Sequence, residues 1–178
     1  MSSSLQSLKY VRGSLTVIDQ LKLPHELVYV DIPTSEVAWV AIRTMQVRGA
    51  PLIAIVAALA LAVDVHKAQG DFKSSTDAAD YLKDKMTYLR TSRPTAVNLF
   101  VATDELLASV MRLQGETGST AQSVVDGFLT EAEVRHEVLD CVFMHDRSYY
   151  CVQSQSNCIS MLSGTQSAKM LICFWYYE

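Results

Sequence analysis

Arg48-Gly49-Ala50-Pro51-Leu52-Ile53-Ala54-Ile55-Val56-Ala57-Ala58-Leu59-Ala60-Leu61-Ala62-Val63 is the stretch on which the fold turns. Pro51 suits the first position of a helix, where its missing N–H is not needed. The spacing predicts a helix from Pro51 to about Gln69, closed by Gly70. It is apolar on nearly all sides through Val63, so it reads as the central, buried helix. The run Leu52 to Val63 has twelve residues. That is short of the roughly 20 needed to cross a bilayer, so no membrane is expected.

Other elements are read outward from this helix. Upstream, Leu8 and Tyr10, Leu15 and Val17, and Val28, Val30 and Ile32 alternate as short strands do. Gly13-Ser14 and Pro24-His25-Glu26 mark the connections, so residues 1–33 read as a small antiparallel meander. Ser35 can cap a helix to about Val47, with Val37, Val40, Ala41 and Met45 on one face. Downstream, Ser75 can cap a helix to about Leu89, facing Ala78, Leu82, Met86 and Leu89 inward. Pro94 is placed as a helix start, and Ala96, Leu99, Phe100, Thr103, Leu106, Leu107 and Val110 recur at helical spacing. A last helix, from Thr120 to about Leu139, shows Val124, Val125, Phe128 and Ala132 on one side. The class is therefore α+β: a small antiparallel N-terminal sheet followed by a helical bundle over 34–140.

After Asp140 the pattern dissolves, apart from a candidate strand at Tyr149-Tyr150-Cys151-Val152, and 141–178 reads as a poorly structured tail. All four cysteines lie there: Cys141, Cys151, Cys158 and Cys173. Charge thins at the same point, leaving only Asp146, Arg147, Lys169 and Glu178. His136, Cys141, His145, Cys151 and Cys158 have the composition of metal ligands but not the close Cys-x-x-Cys pairs of a structural zinc site, so no metal is assigned. In the whole chain of 178 residues, 49% are hydrophobic and the net charge is -4. Such a chain is globular and lacks the basic stripe of a nucleic-acid binder. The first residues show no basic stretch followed by an apolar one, so no signal peptide is read and a cytoplasmic, or cytoplasmic and nuclear, location is expected.

Two segments share one design. Arg48-Gly49-Ala50-Pro51 and Ser92-Arg93-Pro94-Thr95 each set an arginine beside a predicted helix start. Free N–H groups and a partial positive charge make such a start attractive to anions, and arginine adds a fork that fits phosphate oxygens. Gly49 lets a ligand approach the backbone. Together they could clamp a phosphorylated sugar. The same spacing also fits two solvated loop arginines. His25 and His66 read as surface or helix-end residues rather than general bases.

The run Leu8-Lys9-Tyr10-Val11-Arg12-Gly13-Ser14-Leu15, with Asp19-Gln20 and Leu23-Pro24, resembles the opening of the methylthioribose-1-phosphate isomerases. So do Ala41-Ile42-Arg43-Thr44-Met45-Gln46-Val47-Arg48-Gly49-Ala50-Pro51 and Ser92-Arg93-Pro94-Thr95-Ala96-Val97-Asn98, in matching order and spacing over about residues 5–133. Regulatory subunits of the exchange factor for initiation factor two and ribose-1,5-bisphosphate isomerases belong to the same superfamily. The resemblance implies an aldose–ketose isomerisation in methionine salvage, from methylthioribose 1-phosphate to methylthioribulose 1-phosphate, with no metal, nucleotide or other cofactor. It implies substrate binding by Arg48, Gly49, Ala50 and Arg93. It also implies a small N-terminal domain, a larger Rossmann-like one, and a dimer.

The family's catalytic cysteine and aspartate stand in Thr-His-Cys-Asn-Thr-Gly and Gly-Ala-Asp-Arg types of motif within the Rossmann-like domain. Neither motif occurs in these 178 residues, so no catalytic residue is assigned. Cys141 is followed by Val142-Phe143 and does not inherit the role. The resemblance fades near Thr130-Glu131-Ala132-Glu133, which suggests a truncated form whose tail stems from a retained intron, a shifted frame or a faulty gene model. Three readings remain: an isomerase inactive in this form, a sugar-phosphate-binding or regulatory protein that pairs with full-length isomerase, or a fragment that folds poorly.

Overall fold

A computed structural model describes residues 6–144, 150–154 and 157–161, with side chains as far as Val134. The chain divides into two units, Met1–Val134 and Arg135–Glu178.

Three strands open the first unit: β1 (Leu8–Val11), β2 (Ser14–Ile18) and β3 (Tyr29–Asp31). They form an antiparallel meander in the order β1-β2-β3, with Val11 opposite Ser14 and Val17 opposite Val30. The β1–β2 turn needs Gly13, whose φ is +84°. A Cβ there would also meet the His66 ring at 3.2 Å. The buried face of the sheet carries Leu8, Leu15 and Val17, as the alternation predicts. β2 lies against α2.

Five helices come next: α1 (Ser35–Arg43), α2 (Ala50–Ala68), α3 (Ser75–Arg90), α4 (Val97–Gly115) and α5 (Ala121–Met144). α2 is the core helix, packed by α1, α3 and α4. It has the length and composition to cross a membrane, with mean hydropathy 1.8, yet 72% of that stretch is buried inside the fold. Val56, Leu59, Leu61 and Val63 are closed off from solvent. Each such side chain contributes roughly 1.5–3 kcal/mol. The inward faces expected of α3 and α5 are also found, with Ala78, Leu82, Met86 and Leu89 buried on one and Val124, Val125, Phe128 and Ala132 on the other.

Three expectations need correction. The caps of α1 and α3 are Thr34 and Ser74, one residue before Ser35 and Ser75. Two adjacent hydroxyls stand at each start, and only the first adopts the extended backbone a cap requires. α1 ends at Arg43 rather than Val47, because Met45 turns the chain with φ +65°. Its buried face is Ser35, Ala38, Ala41 and Ile42, leaving Val40 and Met45 exposed. α4 begins at Val97 and not at Pro94. The residue before a proline avoids the helical region, so the chain first makes a turn in which the Ala96 N–H bonds the Arg93 carbonyl at 3.0 Å.

One buried carboxylate joins three helices. Asp64 of α2 accepts the Ser35 N–H at 2.9 Å and the Ser35 hydroxyl, and lies 3.5 Å from Lys85 Nζ of α3. Lys85 also pairs with Glu36. Burial opposes the charge on Lys85, but its bond to Glu36 and the charge of Asp64 outweigh that and raise its pKa.

A second tie closes the unit. Arg12 places its fork on Glu133, both N···O distances being 2.8 Å, and the Tyr10 hydroxyl donates to the same carboxylate at 3.0 Å. The Arg12 bonds lower the Glu133 pKa against the opposing effect of burial, and the Tyr10 bond adds to the lowering.

In the second unit, β4 (Tyr150–Ser154) and β5 (Asn157–Met161) pair as an antiparallel hairpin, Tyr150 opposite Met161. The strand expected at 149–152 thus lies within a hairpin, and α5 runs past the expected Leu139. The side chains of His136, Cys141, His145, Cys151, Cys158 and Cys173 lie outside the described residues.

Asp64→Ala is expected to destabilise the chain by about 3 kcal/mol in urea melts, since it strands a buried N–H and removes a partner of Lys85. Asp64→Asn, which keeps an acceptor for Ser35, should cost less. Glu133→Gln should lower the melting temperature at pH 7. A carboxylate whose folded pKa is depressed stabilises above its unfolded pKa, and that stability disappears as pH falls through the folded value. The gap between Glu133→Gln and the parent should therefore shrink as pH falls past about 4 and vanish only below the depressed folded pKa, and a gap that does not shrink with acid would exclude an ionised Glu133 as its source.

Candidate functional site

The two arginine segments are loops that leave the same pair of helix ends. α1 and α3 stop side by side: Trp39 stacks on Tyr88 with ring centroids 5.8 Å apart, and the Trp39 Nε1–H donates to the Thr91 hydroxyl at 2.8 Å. From there α1 feeds the loop 44–49 and α3 feeds the loop 91–96. Arg43 bridges them, its Nη1 reaching the Ser92 carbonyl at 3.5 Å.

Each loop is pinned to the core. In the first, Val47 is fully buried and its N–H bonds the Ala41 carbonyl at 3.2 Å. Gln46 accepts from the Gln20 N–H at 2.9 Å and donates to Asp19 at 3.3 Å. Asp19 is itself buried and also accepts from the Leu21 N–H at 3.0 Å. In the second, the buried Ser92 hydroxyl donates to the Leu89 carbonyl at 2.6 Å. Arg90 of α3 pairs with Asp104 of α4 at 2.6 Å and lies over the Phe100 ring, so the elements flanking the loop are also joined.

The predicted site residues sit as follows. Arg48 is exposed, and its Nε donates to the Met45 carbonyl at 3.0 Å. Gly49 takes the N-cap position of α2 with φ +94°, and nothing lies within 4 Å of where a Cβ would stand. Ala50 is the first residue of the helix and exposed. Arg93 is half-buried in the turn before α4, three residues further from the helix start than its sequence implied. Arg43, Asp19, Gln46 and Trp39 are not singled out by the sequence pattern, although all but Trp39 lie within the runs that carry the resemblance.

Two features give this end an anionic preference. α1, α3 and α5 are capped by the hydroxyls of Thr34, Ser74 and Thr120. α2 and α4 have no side-chain cap. Among the described residues the N–H groups of Ala50, Leu52, Val97 and Asn98 make no hydrogen bond. Such groups carry the positive end of the helix dipole. The arginines divide the same way. Arg12, Arg90 and Arg112 each pair with a carboxylate, whereas Arg43, Arg48 and Arg93 pair with none among the described residues. Uncapped helix starts and unneutralised guanidinium groups are suited to an anion with several oxygens, such as a phosphate ester.

Known proteins share this architecture. The Initiation factor 2 subunit family matches residues 46–140. A methylthioribose-1-phosphate isomerase of Vitis vinifera is 51% identical over 130 residues, 73% of this chain and 34% of that protein. One from Verticillium alfalfae is 45% identical over 131 residues, 74% of this chain and 33% of that protein. The chain spans about a third of the length of these curated relatives. The solved 5-methylthioribose 1-phosphate isomerase of Pyrococcus horikoshii superposes with TM-score 0.66 at 26% identity, over 78% of this chain and 38% of that one. Subunit delta of translation initiation factor eIF-2B from A. fulgidus gives 0.62 at 31% identity, over 77% and 38%.

Gly49→Ala tests the backbone at the site. There is room for the methyl group but φ is positive, so the substitution should lower stability by roughly 1–2 kcal/mol in denaturant melts. An unchanged midpoint would show that the loop does not need that conformation.

Proposed function

This chain belongs to the Initiation factor 2 subunit family, and from that premise we propose that it supplies the phosphate-binding part of a methylthioribose-1-phosphate isomerase site. Arg48 and Arg93 grip the phosphate oxygens of methylthioribose 1-phosphate. The N–H groups at the starts of α2 and α4 complete the cradle, and Gly49 and Ala50 let the sugar lie against the backbone. The observation that carries this reading is the selective absence, among the described residues, of caps and counter-ions at one end of a bundle in which the starts of α1, α3 and α5 are capped and Arg12, Arg90 and Arg112 are paired. The relatives named as isomerases at 45–51% identity supply the chemistry.

The reaction moves hydrogen between C1 and C2 of a sugar whose ring must first open. Binding groups orient the substrate but do not transfer that proton. The resemblance assigns the transfer to a cysteine and an aspartate whose motifs these 178 residues lack. Acid–base groups contribute ~10²–10⁴-fold each, so these residues alone should bind without appreciable turnover. Self-association, or pairing with a full-length isomerase subunit that brings those groups, belongs to the same proposal, as does a cytoplasmic or nuclear location.

A thermal melt with methylthioribose 1-phosphate tests the cradle. At ligand a hundred times Kd the stabilisation should approach ~2.7 kcal/mol, a rise of several degrees for a chain of this size. Arg48→Ala and Arg93→Ala should each abolish most of the rise while leaving the unliganded midpoint nearly unchanged. A cooperative melt that the ligand does not move would overturn the proposal.

A further inference from the structure

Met45 is the one residue other than glycine, among those described, with a left-handed backbone, φ +65°. It comes directly after the C-cap of α1, and its N–H bonds the Ile42 carbonyl at 3.2 Å. This place is ordinarily taken by glycine, because a Cβ there crowds the carbonyl oxygen at a cost of about 1–2 kcal/mol. The turn also has a task at the site. The Met45 carbonyl accepts the Arg48 Nε–H at 3.0 Å and so fixes the guanidinium beside the start of α2.

Glycine would make this turn more cheaply and offer the same carbonyl. Backbone demands therefore do not account for a methionine. Core packing does not account for it either, since Met45 is 42% exposed. The side chain itself remains: an unbranched, polarisable thioether, partly open to solvent and springing from the residue that orients Arg48. Val40, in the last turn of α1, is a second apolar side chain left 50% exposed near the end of the same helix. Strain kept at a binding site signals use of the strained residue.

We propose that Met45 is a specificity-determining residue, whose side chain contacts the apolar 5-substituent of the sugar phosphate gripped by Arg48. The proposal rests on the phosphate-binding reading above. A 1-phosphate of ribose bearing a methylthio group is anionic at one end and apolar at the other. The anionic end is served by Arg48 and the α2 N–H groups. The apolar end gains by leaving water, and a flexible thioether adapts to a thioether substituent.

Calorimetric titration of the 178-residue chain with methylthioribose 1-phosphate and with ribose 1-phosphate tests this. The parent should prefer the methylthio compound by about tenfold, the discrimination available to one small apolar group. Met45→Gly and Met45→Asn both suit a left-handed backbone and remove the apolar side chain. Both should bind the two compounds with equal affinity, and both should still bind, since each keeps the main-chain carbonyl that accepts from Arg48. Met45→Gly should also melt at a higher temperature. Variants that keep the tenfold preference, or a parent with none, would overturn the role of Met45 and leave the phosphate cradle standing. A parent that binds neither compound would overturn both.

Discussion

Asp64 is the constraint on which the arrangement of this unit depends. It stands in an otherwise apolar helix, next to residues that are sealed from solvent. A carboxylate in that position is costly unless its oxygens are occupied, and the Ser35 N–H, the Ser35 hydroxyl and Lys85 occupy them. The consequence is geometric. Satisfying one charge fixes the start of α1 and the middle of α3 against the same point on α2. The other ends of α1 and α3 carry the two arginine loops, and the start of α2 lies roughly 21 Å from Asp64 along the helix axis at 1.5 Å per residue. The position of the candidate site is thus inherited from a contact remote from it.

The site itself is defined by what is withheld. The same sequence that caps α1, α3 and α5 with hydroxyls leaves α2 with Gly49 and α4 with Ala96 at their starts. A cap is worth about 1 kcal/mol, so two absent caps, a left-handed Met45 and three arginines without counter-ions represent stability forgone at one end of the molecule. The rigid backing of Val47, Asp19–Gln46, Ser92 and Trp39–Tyr88 offsets this and keeps the exposed groups in place.

Much of the fold is legible in the amino-acid sequence. The apolar run after Pro51 marks the core helix, because a helix apolar on nearly all sides must be covered on nearly all sides, as α2 is. The inward faces of α3 and α5 come from period alone, and the meander from alternation and the Gly13 turn. Local pattern misleads where tertiary context outweighs it. Val40 and Met45 have the spacing of a buried face, but the Met45 turn and the Asp64–Ser35 anchor rotate α1 so that Ala38 and Ile42 face inward. Pro94 looks like a helix start, yet its effect on Arg93 delays α4 to Val97. At the site, the Arg48 segment is legible as an arginine and a glycine before a helix. The bridging role of Arg43 and the pairs Asp64–Lys85 and Arg12–Glu133 are not, because partners 21 to 121 residues apart leave no periodic trace.

The Arg12–Glu133 bond joins the first hairpin to a helical residue next to the end of the first unit. It makes the described part of that unit a closed circuit, with the first hairpin tied directly to α5. Opening the Arg12–Glu133 pair would therefore release the first hairpin and α5 from each other together, while the arginine loops stay held by Val47, Asp19–Gln46 and Ser92.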